Sequence, residues 1–229
     1  RAHWTSRYAF VRHTELFKTI RGKISTRDAV FSLIRQMEED VDAYMALTQP
    51  ESSSWAPALK QYASELRMFG VRQPLPFLMA ARHAFNDQQF EVVLRASTII
   101  SFRYNVIGSQ PANEQERIYN NVAERLSRSE LTDVNSVLTA MASIYPSDDA
   151  FRSSFMDKSL RTTQTRNKRV VRYILCALEK HLTGTALDAD SDSFNLEHIL
   201  PENPNGGWDE FSDEAWEALV YRLGNLTLL

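Results

Sequence analysis

From Ser25 to Gly184 the apolar residues recur three and four positions apart between helix-start and helix-stop signals, and no two-residue hairpin signal interrupts them. Ser25 and Asp28 form a capping-box-like start. Val30, Leu33, Ile34, Met37, Val41, Tyr44 and Met45 follow as one stripe. Leu59, Tyr62, Leu66 and Phe69 form the next, with Gly70 placed to close it. Pro74 and Pro76 break the chain before a short helix through Phe85. Asn86-Asp87 caps a segment from Gln88 to Val106 that ends near Gly108. Asn113 and Glu116 open another with Ile118, Val122 and Leu126. A helix from about Glu130 to Ile144 stops at Pro146, and Ser147 caps the stretch from Phe151 to Leu160. Val170, Ile174, Ala177, Leu178 and Leu182 mark the last long helix, closed by Gly184. Such a pattern predicts a mainly α body of about eight helices. Only seven glycines in 229 residues point the same way.

The pattern changes after Gly184. Leu187 to Ser193 is a polar, acidic loop. Phe194-Asn195-Leu196 alternates like a strand, Pro201 to Gly207 reads as a loop, and Ser212 caps a brief helix with Trp216, Leu219 and Val220. Leu223 to Leu229 reads as a second strand, so a small β-hairpin is expected to follow the helices. Asp188, Asp190 and Asp192 imitate a calcium loop, but Ser193 stands where glycine is required and Ile199 where the bidentate glutamate belongs. An EF-hand is therefore excluded.

A formal net charge of −3 and a pI near 6.0 leave no general cationic surface. Contact with nucleic acid would have to rest on a local patch, and Arg161, Arg166, Lys168, Arg169 and Arg172 are its candidates. The same residues also suit a solvated helix start. Cys176 is the lone cysteine, which rules out an intrachain disulfide or a cysteine-based zinc cluster and fits a reducing, cytoplasmic setting. No run reaches the roughly 18 apolar residues of a transmembrane helix. His3, His13, His83 and His181 are scattered without paired spacing and read as surface or packing residues.

The residues that suggest chemistry are Glu197-His198-Ile199-Leu200-Pro201 on the first strand and Gly224-Asn225-Leu226 on the second. A neutral imidazole can take a proton from water as it attacks a phosphodiester. A carboxylate beside it can supply an oxygen ligand to Mg²⁺ or Mn²⁺. An asparagine amide both donates and accepts, so it can fix the loop or orient the histidine. Equally, Glu197 could pair with a nearby arginine and Asn225 could be an ordinary turn residue.

The run from Phe194 to Leu229 resembles the C-terminal HNH (His-Me finger) domain of GmrSD-type (type IV restriction) bacterial defence nucleases. The shared features are an acidic residue before His198-Ile199-Leu200-Pro201, then Trp208, then Leu223-Gly224-Asn225-Leu226-Thr227-Leu228-Leu229. Arg172-Tyr173-Ile174-Leu175 with Leu178-Glu179 is similar to the helix that precedes the motif, and Ile100-Ser101-Phe102-Arg103 to the region linking the family's two domains.

The resemblance implies a ββα-metal site with His198 as general base, Asn225 as the middle HNH residue and Glu197 as a Mg²⁺ or Mn²⁺ ligand. It implies DNA, foreign or modified, as the partner, and an N-terminal ParB-like nucleotide-hydrolysing domain that no segment here resembles. The family's remaining metal ligand is expected beyond Leu229. Because the chain starts at Arg1 without methionine and stops on an apolar run, it is expected to be a fragment, and with that ligand and the N-terminal domain missing, an incomplete site that does not cleave alone is expected. Residues 1–145 are then a helical linker or coupling region and residues 146–229 the nuclease domain, with homo-oligomerisation possible. A non-catalytic helical scaffold or a DNA-binding coupling module is the alternative.

Overall fold

The structure, a computed structural model, describes residues 1–203, 206–208 and 210–229. Pro204 and Asn205, which the sequence assigns to the loop from Pro201 to Gly207, lie outside the described residues, as does Asp209. The chain divides into two compact units, Arg1–Pro146 and Ser147–Leu229.

In the first unit α1 (Ala2–Arg7), α2 (Leu16–Lys23), α3 (Arg27–Thr48), α4 (Pro57–Phe69), α5 (Leu75–Ala84), α6 (Asp87–Ser101), α7 (Ala112–Ser127) and α8 (Val134–Ala140) follow in order. Side chains that take the orphan N–H groups of a first turn set several boundaries. Asn86 and Gln89 make the reciprocal bonds of a capping box at the start of α6. Gly70, at φ 68°, ends α4 in the left-handed conformation that side chains disfavour.

Other boundaries differ from the sequence expectation. Thr26, not Ser25, caps α3 by accepting from the Ala29 N–H at 3.2 Å. α7 starts behind Pro111 without a side-chain cap. The helix expected from Glu130 begins only at Val134, because the Asp133 carboxylate accepts the Ser136 N–H and fixes the start there. α6 runs on into a π-helical turn, Phe102–Ile107. It stops at Gly108, where a Cβ would lie 2.9 Å from the Arg103 carbonyl oxygen.

Within this unit α5 packs against α1 and α7, and α4 against α6. The rings of Phe77 and Tyr119 stack with centroids 5.5 Å apart, and neither reaches solvent. α3 departs from the usual amphipathic arrangement. Its buried residues are Asp40, Ala43, Ala46 and Leu47, whereas every member of its expected apolar stripe except Leu33 is exposed. The cause is polar. The Asp40 carboxylate, 2% exposed, accepts from Arg7 through both Nε and Nη2 and bonds His3 Nδ1 and His83 Nε2. Satisfying a buried carboxylate takes several donors at once, and only one rotation of α3 supplies them.

The second unit holds α9 (Asp148–Met156), α10 (Thr165–Thr183), β1 (Leu196–His198), α11 (Asp213–Leu219) and β2 (Leu226–Leu228). Ser147 and Ser212 cap α9 and α11 through the N–H groups of Ala150 and Ala215, and Gly184 closes α10 at φ 79°. β1 and β2 form an antiparallel ribbon in the register Leu196–Leu228, Glu197–Thr227, His198–Leu226, and α10 packs on β2. The fold is thus mainly α, with one small two-stranded sheet among the described residues, near the C-terminus. The first strand begins at Leu196, two residues later than the alternation suggests, although Asn195 and Leu229 still exchange backbone hydrogen bonds beyond it; Arg172 donates to the Phe194 carbonyl and lies over its ring. No helix among the described residues is long and apolar enough to cross a membrane.

Burial alone would push the Asp40 carboxyl up, but bonds from His3, His83 and Arg7 outweigh it and hold the group well below the usual carboxylate range. A carboxyl depressed on folding contributes stability that is present above its unfolded value, near 3.9, and is lost as pH falls below it. Unfolding by urea should therefore show stability declining below about pH 4. Asp40→Asn should cost about 3–5 kcal/mol at neutral pH, the scale for an uncompensated buried charge, and should flatten that acid limb. An acid limb unchanged in the variant would remove Asp40 as its source.

Candidate functional site

His198 ends β1 opposite Leu226, and the chain then leaves the ribbon as Ile199-Leu200-Pro201. Asn225 holds this departure from two sides. Its backbone carbonyl accepts from the Ile199 N–H at 2.9 Å. Its side-chain Oδ1 accepts from the Leu200 N–H at 2.7 Å, and its Nδ2 donates to the carbonyls of Leu200 at 3.0 Å and Val220 at 2.9 Å. Both donors and the acceptor of the amide are in use. Trp216 of α11 adds a second tie, donating from Nε1 to the Pro201 carbonyl at 3.1 Å.

The imidazole of His198 is half-buried, with Nε2 at 3.1 Å from Thr162 Oγ1 and 3.4 Å from Glu202 Oε1. Thr162 donates its hydroxyl to Glu202 Oε1 at 3.2 Å. A threonine has one hydroxyl hydrogen, so with that spent on Glu202 the oxygen can only accept from His198. This assigns the proton of a neutral His198 to Nε2 and leaves the lone pair on Nδ1. Thr162 reaches the histidine because the strap before it is tied to the segment leading into β2. The Leu160 N–H donates to the Tyr221 carbonyl, and the Leu223 N–H to the Lys158 carbonyl. Tyr221 presents its ring to His198 nearly edge-on, with centroids 5.9 Å apart. Burial first, then the neighbouring Glu202, pushes its phenol up.

An open cavity of about 410 Å³ adjoins the histidine, lined by Thr162, Thr163, Lys168, Glu197, His198 and Glu202 among others. Strand alternation directs Glu197 and His198 to opposite faces of the ribbon, yet both border this cavity. Among the described residues no three His, Cys, Asp or Glu side chains converge as a metal site requires. Glu197 offers one hard oxygen donor and Glu202 is engaged by Thr162, so the described residues do not complete a Mg²⁺ or Mn²⁺ site.

The five cations of the basic cluster separate into different roles. Lys168 lines the cavity beside His198. The Arg161 guanidinium stacks 5.5 Å from the Tyr221 ring centroid, and Arg166 is exposed. Arg169 forms an exposed ion pair with Asp190 at 3.3 Å. Arg172 donates to the carbonyls of Ala189, Ser191 and Phe194, so it secures the acidic loop against α10.

Thr162, Glu202 and Tyr221 were not among the sequence candidates. Glu202 follows Pro201 directly, four residues after His198, and that nearness was its only signal. Thr162 and Tyr221 reach the site through backbone pairing alone.

Residues 145–229 match the family of GmrSD restriction endonucleases, C-terminal domain. The match begins two residues before the second compact unit and extends to its end. No curated protein matches the chain. The matched region contains the ribbon, His198, the Asn225 clasp and the cavity, together with the helices that hold them.

Asn225→Ala leaves the Leu200 N–H and two carbonyls without partners. It should lower the stability of the C-terminal unit by about 2–4 kcal/mol in urea unfolding. Asn225→Asp keeps the acceptor but loses both donors, so it should fall between Ala and the parent. A loss below about 0.5 kcal/mol for Asn225→Ala would show that the amide does not hold the loop.

Proposed function

We propose that this chain is the nuclease-bearing part of a metal-dependent DNA endonuclease in a bacterial defence system, with His198 as its general base. The observation that carries the reading is the tied-off Nε2 of His198, which leaves Nδ1 as the basic nitrogen of a neutral ring at the cavity wall. In this reading Nδ1 takes a proton from water as the water oxygen adds to phosphorus. One ester P–O bond breaks, and the leaving oxygen takes a proton from solvent. The imidazolium so formed lies beside Glu202, whose charge stabilises it through Thr162 and directly.

Asn225 acts as a positioning residue for the segment that carries His198. Lys168, which lines the cavity, is the first candidate for a phosphate contact, with Arg161 and Arg166 as further candidates and Arg169 exchangeable from its exposed pair. A Mg²⁺ or Mn²⁺ ion belongs to this reading with Glu197 as one ligand, where it would neutralise charge on the phosphate. The helical residues 1–145 are read as the element coupling the nuclease to a nucleotide-hydrolysing domain.

In protein carrying this chain, with Mg²⁺ or Mn²⁺ supplied, His198→Ala should reduce cleavage of DNA by at least about 100-fold with an unchanged melting temperature. Long-range ¹H–¹⁵N spectra of the parent should show neutral His198 protonated on Nε2. Full cleavage by the variant, or a proton on Nδ1, would overturn the assignment of the base.

Lys168→Ala should weaken DNA binding about equally for all sequences and reduce the slope of log K against log salt by about 1. An unchanged slope would take Lys168 out of the DNA interface.

A further inference from the structure

The outward face of α3 belongs to no site described above. Val30, Ile34, Met37, Val41 and Tyr44 follow one another at alternating spacings of four and three, the a/d seam of a coiled coil, with Phe31 and Met45 beside it. All seven side chains are between 41% and 53% exposed. The seam runs about 22 Å along one helix face. Soluble monomers seldom leave so long an apolar row open to water.

Charge on the same helix indicates what covers it. Arg27, Asp28 and Arg35 lie in its first half, while Glu38, Glu39 and Asp42 follow, and no lysine or arginine occurs between Arg35 and Lys60. An acidic flank of this kind repels phosphate backbones and anionic lipid surfaces. A second α3 placed antiparallel sets Arg35 of one copy near Glu38 and Asp42 of the other, and two-fold symmetry repeats the match at the far end. The helix dipoles then run in opposite directions. A parallel pairing would instead set acid beside acid. We propose that the exposed face of α3 is a self-association surface on which a second copy of this chain docks antiparallel.

Sedimentation equilibrium of the 229-residue chain over a concentration series tests the proposal without reference to nuclease activity. A reversible dimer is expected. Ile34→Asp combined with Val41→Asp should weaken dimerisation at least about 100-fold while leaving the helical circular dichroism intact, since neither side chain is buried. Orientation is read by cross-linking in the parent background. Chains with Val30→Cys should form disulfides with chains carrying Tyr44→Cys, and not with one another. Cys176 is buried and stays out of the exchange. A parent chain that is monomeric at every concentration, a double variant that still dimerises, or Val30→Cys chains linking to themselves would each overturn the proposal.

Discussion

Between Leu200 and Val220 the chain leaves the ribbon and returns, and one side chain, the amide of Asn225, joins the two ends of that excursion. Closing a loop of about 20 residues costs on the order of 2–3 kcal/mol in chain entropy. Three side-chain hydrogen bonds, each with a net contribution of about 1 kcal/mol, offset that cost. They also prevent the larger loss that unsatisfied backbone groups would bring. No other residue type meets the requirement at this position. Aspartate cannot donate to the two carbonyls, glutamine is one methylene too long for the same geometry, and an apolar residue leaves all three backbone groups bare. The Leu223–Asn225 turn, which breaks what the sequence suggests is a continuous strand, brings the amide to the loop.

His198 inherits its setting from that closure. With its backbone pinned by the ribbon and the Ile199 N–H, its ring can lie against Tyr221 while Nε2 meets Thr162. A relay of imidazole, hydroxyl and carboxylate constrains tautomer and orientation together. Among the described residues that line the cavity, Glu197 and Glu202 stand with Lys168, so its rim carries more acid than base.

Much of this was legible in the sequence, for definable reasons. The caps at Asn86, Ser147 and Ser212 and the stops at Gly70, Gly108 and Gly184 act within a few residues, so local reading finds them. His198 and Asn225 drew attention because they sit in a short pattern, and a loop-fixing role for the amide followed from its capacity to donate and accept. Thr162 was not legible, since the strap that delivers it pairs with residues some sixty positions later. The Asp40 cluster was hidden for the same reason. His3, Asp40 and His83 look like unrelated polar residues until the packing of α1, α3 and α5 brings them together. Arg172 shows the opposite error, in which charge counted toward a basic patch is consumed by three local carbonyls.

α3 shows how a polar requirement can overrule hydrophobic periodicity. Turned by one residue, about 100°, the helix would bury Val41 and its neighbours but carry Asp40 away from Arg7, His3 and His83. Stranding a buried carboxylate, or exposing it and leaving Arg7 without its partner, costs several kcal/mol. Each half-exposed apolar side chain left in water forfeits only part of the roughly 1.5–3 kcal/mol that full burial provides. Polar partners also constrain direction, whereas apolar contact does not, so the carboxylate sets the rotation and the seam takes whatever face remains. The buried acid and the open apolar row are therefore one structural fact, and a partner helix meeting that row can recover the hydrophobic contribution without disturbing Asp40.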